Sequence, residues 1–259
     1  MTNMVSMPSR GGGRADIFTP VSGSASELPE QHSAKAARLL EAANDLLLGR
    51  GAKGFTVADV AQRAHVGKGT VYLYWPTKED LLIGLIGRGF LGLLDDLIQT
   101  LTAQPDLARP SQFCPLMLEI ATGKPLVAAL QSQDEDLLGV LARDPRSVAF
   151  RDALGPGAVL KAVLPIWRRN ALARNDWDIA DQTFALYGLI TGVAMSLVGA
   201  APVVVDDALG VLGAAVTALL GPERANKKQI GVTAAEVIEF LRQGRVAALQ
   251  MIQPNASAG

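Results

Sequence analysis

The amino-acid sequence predicts an all-α protein that consists of a small N-terminal helical domain and a larger C-terminal helical domain. From Ala34 onward, apolar residues recur at the i, i+3, i+4 and i+7 spacing that places them on one face of a helix. The first such set comprises Ala36, Leu39, Leu40, Ala43, Leu46 and Leu47. The one stretch that suggests a strand, 203–205, is too short to form one.

Composition and turn residues divide the chain into four parts. Residues 1–32 contain many Gly, Ser and Pro residues and no apolar periodicity, which predicts a flexible tail. We assign residues 33–86 to the small domain and residues 87–222 to the larger domain. Residues 223–259 are a C-terminal extension with one predicted helix.

Helix start and stop signals define the first half of the small domain. Ser33 is suited to cap the first helix, and Gly49 and Gly51 end it. Thr56 is suited to cap a second helix. Asp59 stands at its third position, where a carboxylate favours the positive end of the helix.

Similar signals define the second half of the small domain. The third helix begins at about Gly67 and ends before Pro76, because proline interrupts a helix. Thr77 then caps a fourth helix, with Asp80 three residues later. In the turn between the second and third helices we expect a positive φ at His65, since histidine tolerates it better than most residues.

The rest of the chain also has helical periodicity, interrupted by Pro, Gly and Asp turns. Helical segments are predicted near 88–102, 111–122, 125–142, 156–173, 178–200 and 205–220. We expect a last helix over 234–252, capped by Thr233 with Glu236 at its third position.

Charge and cysteine content restrict the class of protein. Residues 33–90 carry eight Lys/Arg against five Asp/Glu, whereas residues 91–222 carry nine against fourteen. A basic small domain on an acidic body suits contact with phosphates. The single cysteine, Cys114, excludes a disulfide within one chain. With two histidines and no Gly-x-Ser-x-Gly segment, we predict no enzyme, no catalytic residue, no metal site and no cofactor.

One uncharged stretch, Phe184–Val205, is long enough to span a membrane. Asp181 precedes it, Asp206 follows it, and no Lys/Arg cluster marks a cytoplasmic side. Pro202 would also interrupt the helix. We therefore expect a buried helix or a subunit interface, with a helical membrane protein as the alternative. The polar N-terminus predicts a cytoplasmic location.

Two short helices joined by the turn at 64–67 form a helix-turn-helix, whose second helix enters the major groove of DNA. The segment Phe55–Leu82 resembles the TetR family of bacterial repressors. The resemblance is carried above all by Lys-Gly-Thr-Val-Tyr-Leu-Tyr-Trp-Pro-Thr-Lys-Glu at 68–79. It is close over residues 34–85; beyond them the chain is similar only in length and in being helical.

Side-chain chemistry selects several candidate DNA contacts. Lys68 can reach a guanine edge or a phosphate, and Gly69 after Gly67 allows the backbone to approach closely. Thr70 can bind a phosphate or touch a thymine methyl group. Thr56 at a helix start can present its hydroxyl and free N–H groups to a phosphate.

The resemblance implies further contacts. It implies phosphate binding by Tyr72 and Lys78, and a contact of Tyr74 with the DNA backbone or a base. A structural role for Tyr72 remains an alternative. A core role is favoured for Val66, Val71 and Trp75.

The resemblance also implies that the last two long helices pair with those of a second subunit. The matching segments are 178–200 and 205–220. Small residues at regular spacing favour close helix approach. The predicted interface residues are Gly188, Gly192, Ser196, Gly199, Leu212 and Val216.

A small-molecule pocket is expected between the middle helices. Methionine and aromatic side chains suit an apolar or flat ligand, although each is also a candidate for plain core. The candidates are Phe113, Met117, Phe150, Trp167, Trp177, Phe184 and Tyr187.

Together these features predict a transcriptional regulator of double-stranded DNA. We expect a homodimeric repressor that binds a palindromic operator and is released by a small apolar or aromatic effector. The alternatives are an activator with the same DNA-binding domain and a small-molecule-binding helical protein that no longer regulates.

Overall fold

Thirteen α-helices lie in residues 28–198 and 205–252, the part of the chain that the computed structural model describes. These residues contain no strand, which confirms the all-α prediction. The helices are α1 (Pro29–His32), α2 (Ala34–Arg50), α3 (Val57–Arg63), α4 (Lys68–Tyr74), α5 (Lys78–Ala103), α6 (Pro110–Thr122), α7 (Pro125–Gln131), α8 (Glu135–Leu138), α9 (Pro145–Leu154), α10 (Pro156–Arg169), α11 (Ile179–Val198), α12 (Ala208–Leu220) and α13 (Lys227–Ile252). Two 3₁₀ helices, Pro105–Ala108 and Gly139–Arg143, follow α5 and α8.

Helices α2, α3, α4 and the first turns of α5 form the small domain, called the head below; the rest of α5 and α6 to α13 form the body. Capping boxes begin α3 and α5 as predicted: Thr56 pairs with Asp59, and Thr77 with Asp80. In each box the threonine Oγ1 accepts from the aspartate N–H, and the carboxylate accepts from the threonine N–H. These local bonds fix where each helix starts.

The end of α2 and the helix-turn-helix turn also follow the prediction. Ser33 caps α2, and Gly51 follows it with a φ of 67°. His65 has a φ of 54°, so the turn does use the left-handed region.

Helix α5 connects the head to the body without a break. It runs through residues 86 and 87, where we placed the domain boundary, because an uninterrupted apolar face of leucine, isoleucine and phenylalanine is buried from Leu81 to Leu101. The head and the body therefore share one helix.

Helix α13 is longer than predicted and belongs to the body. It begins at Lys227, and Asn226 and Gln229 cap it reciprocally. The predicted cap at Thr233 is wrong: this residue is buried inside the helix and donates to the Gln229 carbonyl. The helix packs along α5, so residues 227–252 complete the core of the body.

The predicted helix over 125–142 is broken into α7, α8 and a 3₁₀ helix. Gln133 and Gly139 have φ values of 54° and 57°, which a continuous helix does not allow. Helix α9 was not predicted. It begins with the cap Asp144 followed by Pro145, a start signal that the periodicity search passed over.

The N-terminal tail is partly ordered. Residues 29–32 form α1, and Glu30 makes a two-bond ion pair with Arg88 at 2.6 and 2.7 Å. Residues 1–27 of the predicted tail lie outside the described residues, as do 203 and 204.

Among the described residues, no single helix is long and apolar enough to cross a membrane. The helix pair α6 and α7 would pass on length and composition together, but the pair is bent by 106°.

Candidate DNA-binding face and ligand cavity

One face of α4 is open to solvent. Lys68, Gly69, Tyr72 and Leu73 are exposed, and their spacing places them on one side of the helix. Val71, on the opposite side, is buried. The core packing of α4 therefore orients its exposed side chains outward.

The glycines of this face allow close approach. A Cβ atom placed on Gly67 or Gly69 would meet no atom within 4 Å. Thr70 is half-buried beside them. A second macromolecule can therefore come near the backbone at the start of α4.

Leu73 was missed by sequence reasoning. Its side chain is 82% exposed, more than Tyr72 at 44%. The signal that would have found it is the helical spacing from Gly69, which puts Leu73 on the open face. An exposed apolar side chain there suits contact with a thymine methyl group.

Trp75 and Val71 lie in the core of the head, as expected. Val66 is half-buried and packs against that core. Three of the predicted DNA contacts have other partners.

Thr56 has its hydroxyl committed. Its Oγ1 donates to Asp59 Oδ2 at 2.7 Å and accepts from the Asp59 N–H. Hydrogen bonds from the Thr56 side chain, above all, hold the pKa of Asp59 below its ordinary value, so a carboxylate stands beside the hydroxyl. In this geometry Thr56 caps α3, and its hydroxyl proton is not available to a phosphate.

Tyr74 faces away from the open side of α4. Its hydroxyl lies 2.6 Å from Ser33 Oγ, and its ring is half-buried beside Trp75. Tyr74 thus ties the end of α4 to the start of α2 and does not join the exposed face.

Lys78 is half-buried beneath the loop that precedes α3. Its Nζ donates to the carbonyls of Ala52 and Phe55 and lies 4.1 Å from the centroid of the Phe55 ring. Burial lowers the pKa of Lys78. Lys78 thus uses two of its three N–H donors to hold the loop before α3 close to the start of α5.

A cavity of about 140 Å³ lies in the body between α5, α6, α7, α10 and α11. Apolar side chains form most of its wall. The lining residues are Phe90, Leu93, Met117, Leu118, Ala121, Thr122, Val127, Ala128, Gln131, Ser132, Leu154, Gly155, Pro156, Val159, Tyr187, Ile190, Thr191, Ala194 and Met195. None of them is an Asp, Glu, Lys, Arg or His, so the wall offers hydrogen bonds but no charge.

Two of the predicted pocket residues line this cavity, namely Met117 and Tyr187. Phe113 and Trp167 are instead fully buried core: their rings contact edge to face at 5.7 Å, and Trp167 Nε1 donates to the Ala108 carbonyl. Phe150 is likewise core and stacks on Phe90 at 5.8 Å. None of these three residues lines the cavity of about 140 Å³, because helical periodicity marks a buried side chain without showing which void, if any, lies beside it.

Trp177 and Phe184 were also wrong as pocket residues, because both face solvent. Phe184 is 79% exposed on α11, and Trp177 lies in the loop before that helix, near Arg174.

Helix α11 carries an exposed uncharged stripe. Gly188, Gly192 and Ser196 are exposed on it, together with Phe184 and Met195. The predicted residue Gly199 lies outside the described residues.

On α12, the predicted interface residues Leu212 and Val216 are fully buried within the subunit, where α12 packs on α6. Their assignment to an outer face is therefore wrong. Gly213 lies so close to the Ser111 carbonyl that a Cβ atom would come within 2.7 Å of it, which turns this face of α12 inward. Val211 lies on the exposed side instead.

The head matches a known family. Residues 39–85 match the model of a family described as bacterial regulatory proteins, tetR family. No curated protein matches the sequence.

Solved structures show a similar fold. The fatty acid degradation regulator FadR from Bacillus halodurans is 18% identical, with a TM-score of 0.54 over 75% of this chain and 98% of that one. A tetR family regulator from Shewanella sp. PV-4 is 20% identical, with a TM-score of 0.48 over 72% and 96% of the two chains. FadR from Thermus thermophilus, solved in complex with lauroyl-CoA, is 21% identical, with a TM-score of 0.38 over 86% and 98%.

At these identities the likeness concerns the fold, and the two scores below 0.5 carry no further weight. Residues 39–85 therefore carry the helix-turn-helix pattern of the tetR family of bacterial regulatory proteins, and the chain has a fold similar to that of FadR from Bacillus halodurans.

Proposed function

We propose that this protein is a ligand-responsive transcriptional repressor that binds a palindromic operator as a homodimer. The observation that carries the proposal is the open face of α4, where Lys68, Gly69, Tyr72 and Leu73 are exposed on a helix whose other side is buried. In a helix-turn-helix, this helix is the one that enters the major groove.

The four exposed residues of α4 have complementary roles in DNA binding. Lys68 and the Tyr72 hydroxyl supply donors for phosphates or for a guanine edge. Leu73 supplies an apolar contact, and Gly69 lets the backbone come close. Phosphate contacts give affinity that depends on salt, and base-edge contacts give sequence preference.

The stripe on α11 supports a symmetric dimer. A two-fold interface places each patch against its own copy, so an uncharged patch avoids like-charge repulsion. No Asp, Glu, Lys or Arg occurs between Asp181 and Asp206, and the exposed glycines allow helices to approach closely.

The cavity supports a neutral effector. A carboxylate or ammonium group buried there would have no charged partner, which is costly. The polar atoms of Thr122, Gln131, Ser132, Tyr187 and Thr191 offer hydrogen bonds to a hydroxyl or carbonyl group. A cavity of this size accommodates a single aromatic ring.

Helix α5 runs from the head to the effector cavity. Phe90 and Leu93 line the cavity, and Lys78 begins the same helix beneath the head, about 18 Å away at 1.5 Å per residue. An effector that displaces α5 changes the spacing of the two heads. DNA must then weaken the effector by the same factor, since linkage is reciprocal.

Selection from a random duplex library tests the DNA-binding part. The expected result is an enriched two-fold symmetric sequence whose half-sites lie about 34–36 Å apart, one helical turn. Retention without enrichment would contradict a regulator. Transcription from a promoter with the selected site then separates repression from activation.

Effector class is tested by thermal stabilisation with matched compounds. Toluene, 4-ethylphenol and 1-octanol should stabilise the protein, whereas octanoate and octylammonium should not, because only the neutral compounds avoid burying a charge. Stronger stabilisation by octanoate would contradict the neutral-effector proposal.

A further inference from the structure

Helix α9 borders both the effector cavity and the head. At its C-terminal end, Leu154 and the following Gly155 line the cavity. At its first turn, Arg146 Nη1 donates to Asp80 Oδ1 at 2.6 Å. One short helix therefore spans the roughly 12 Å between the two regions, at 1.5 Å per residue.

The Asp80 carboxylate also holds the start of α5. Its Oδ2 accepts from the Thr77 hydroxyl at 2.7 Å, while Oδ1 accepts from Arg146. Arg146 is in turn fixed by Asp144, the cap of α9, through two guanidinium contacts of 3.2 and 3.3 Å. The caps of α9 and α5 are thus joined through a single guanidinium group.

The middle of α9 is packed against α5. Phe150 is fully buried and its ring lies nearly parallel to that of Phe90, at an angle of 11°. A Cβ atom at Gly87 would lie 2.7 Å from Phe150 Cζ. Since Phe90 and Leu154 both line the cavity, a ligand there would contact α9 directly at Leu154 and indirectly through the stack of Phe90 on Phe150.

At the Arg146 end the packing is open. A second cavity of about 440 Å³ lies between the head and the body, lined by Tyr74, Trp75, Pro76, Asp80, Ile83, Arg146, Ala149, Phe150, Gln250, Met251 and Ile252. This space allows the first turn of α9 to move relative to Trp75 and Pro76. Two further polar links lie nearby: the Ala52 N–H donates to the Leu137 carbonyl at 2.8 Å, and Lys78 Nζ donates to the carbonyls of Ala52 and Phe55.

We infer that Arg146 is a positioning residue of the head: α9 transmits displacement of the cavity wall to Asp80, and so to the start of α5, which follows α4 in the chain. This inference rests on the proposed effector function of the cavity. A ligand that displaces Leu154 and Phe90 moves α9, and Arg146 carries the movement to the cap of α5 through its bond to Asp80.

Hydrogen–deuterium exchange of amides in residues 75–82 tests the inference without DNA. The full chain is compared with and without toluene, in wild type, Arg146→Gln and Arg143→Gln. The last variant is the matched control, because it removes the same charge three residues away, where Arg143 pairs with Glu135 at 2.6 Å. Ala128→Leu, which fills the cavity from its wall, replaces toluene as a second perturbation.

We expect toluene, or Ala128→Leu, to change exchange at 75–82 by about threefold in wild type and Arg143→Gln, a factor typical of one partly exposed ion pair. In Arg146→Gln the change should be lost while exchange around the cavity still responds. An equal response in Arg146→Gln, or no response at 75–82 in wild type although the cavity is filled, would overturn the inference. Failure of the proposed function would appear separately, as absence of selected DNA or of any effector.

Discussion

The two regions that α5 connects, the head and the cavity, differ in charge. At the head, Lys78 and Asp80 lie in the first turn of α5, and the open face of α4 presents Lys68 and Tyr72 to solvent. Around Phe90 and Leu93, the cavity wall contains no charged side chain. The difference favours a polyanion at one site and a neutral molecule at the other, as proposed above, and predicts that salt and pH act on the two sites unequally.

Salt should separate the two sites most strongly. Raising salt from 50 to 200 mM should weaken operator binding by about a thousandfold if six phosphates are contacted, because counterions are released on binding. Binding of toluene should change little over the same range. Anisotropy titrations and thermal shifts measure the two; a salt-independent DNA affinity would contradict the comparison.

The same substitution should act differently at the two ends. Gly87→Ala should destabilise the protein by about 1–3 kcal/mol, since the new methyl group would press on Phe150 and Ile252. Gly69→Ala should leave stability equal or raise it by up to about 1 kcal/mol, because alanine favours a helix and nothing lies within 4 Å.

Chemical denaturation measures both free energies of unfolding. Gly69→Ala should nevertheless weaken DNA binding, because the methyl group stands on the open face. Equal stability of the two variants would show that α9 and α13 do not pack tightly on α5.

Tyr72→Phe should weaken DNA binding by about 1 kcal/mol for all sequences alike, since it removes one hydrogen bond to phosphate. Tyr74→Phe is the matched control: it breaks the bond to Ser33 and should affect stability more than DNA binding. A larger loss of DNA affinity for Tyr74→Phe than for Tyr72→Phe would show that Tyr74, and not Tyr72, contacts the DNA.

The smallest effect is expected from acid. Burial alone would raise the pKa of Asp80, but hydrogen bonds from Thr77 and Arg146 hold that pKa below its ordinary value of 3.8. Its contribution to stability is therefore complete above about pH 5, well above the unfolded-state pKa, and is lost as the pH falls through the lower folded-state pKa.

The free energy of unfolding as a function of pH, in wild type and Asp80→Asn, measures this contribution. The two profiles should converge below pH 4. Since the cavity wall holds no such group, binding of toluene should stay constant over the same range. Parallel profiles would show that Asp80 does not couple folding to protons.

The head could be predicted from sequence because its signals are local. A threonine and an aspartate three residues apart determine where α3 and α5 begin, and His65 marks the turn between α3 and α4. The side chain of Leu73 was overlooked, although its helical spacing was visible.

The partners of Tyr74 and Lys78 could not be predicted in the same way. Ser33 and the carbonyls of Ala52 and Phe55 come from distant or irregular segments, and only the fold brings them near. A resemblance assigns a residue to a motif, but the packing decides whether its polar group is free.

The body could be predicted only as a set of helices. Whether Phe113, Trp167 or Met117 borders a void depends on how several helices meet, and each of these residues is equally suited to the core by its sequence pattern. The start of α13 at Lys227 was missed because Thr233 with Glu236 offers a second capping pattern inside the helix, and the equally good pair Asn226 and Gln229 was overlooked. Leu212 and Val216 turn inward for a similar reason, since a uniformly apolar helix does not show which side faces its own subunit.

The most direct measurement of the central claim is fluorescence anisotropy of a labelled operator duplex, with wild type, a Lys68→Ala/Tyr72→Ala double variant and the control Lys161→Ala. Lys161 is exposed on α10, away from the open face of α4, so its variant removes the same charge elsewhere. The account predicts tight, salt-sensitive binding by wild type and Lys161→Ala and at least about a tenfold loss in the double variant, as for two lost phosphate contacts. Equal binding by all three proteins would contradict the assignment of DNA binding to the open face of α4.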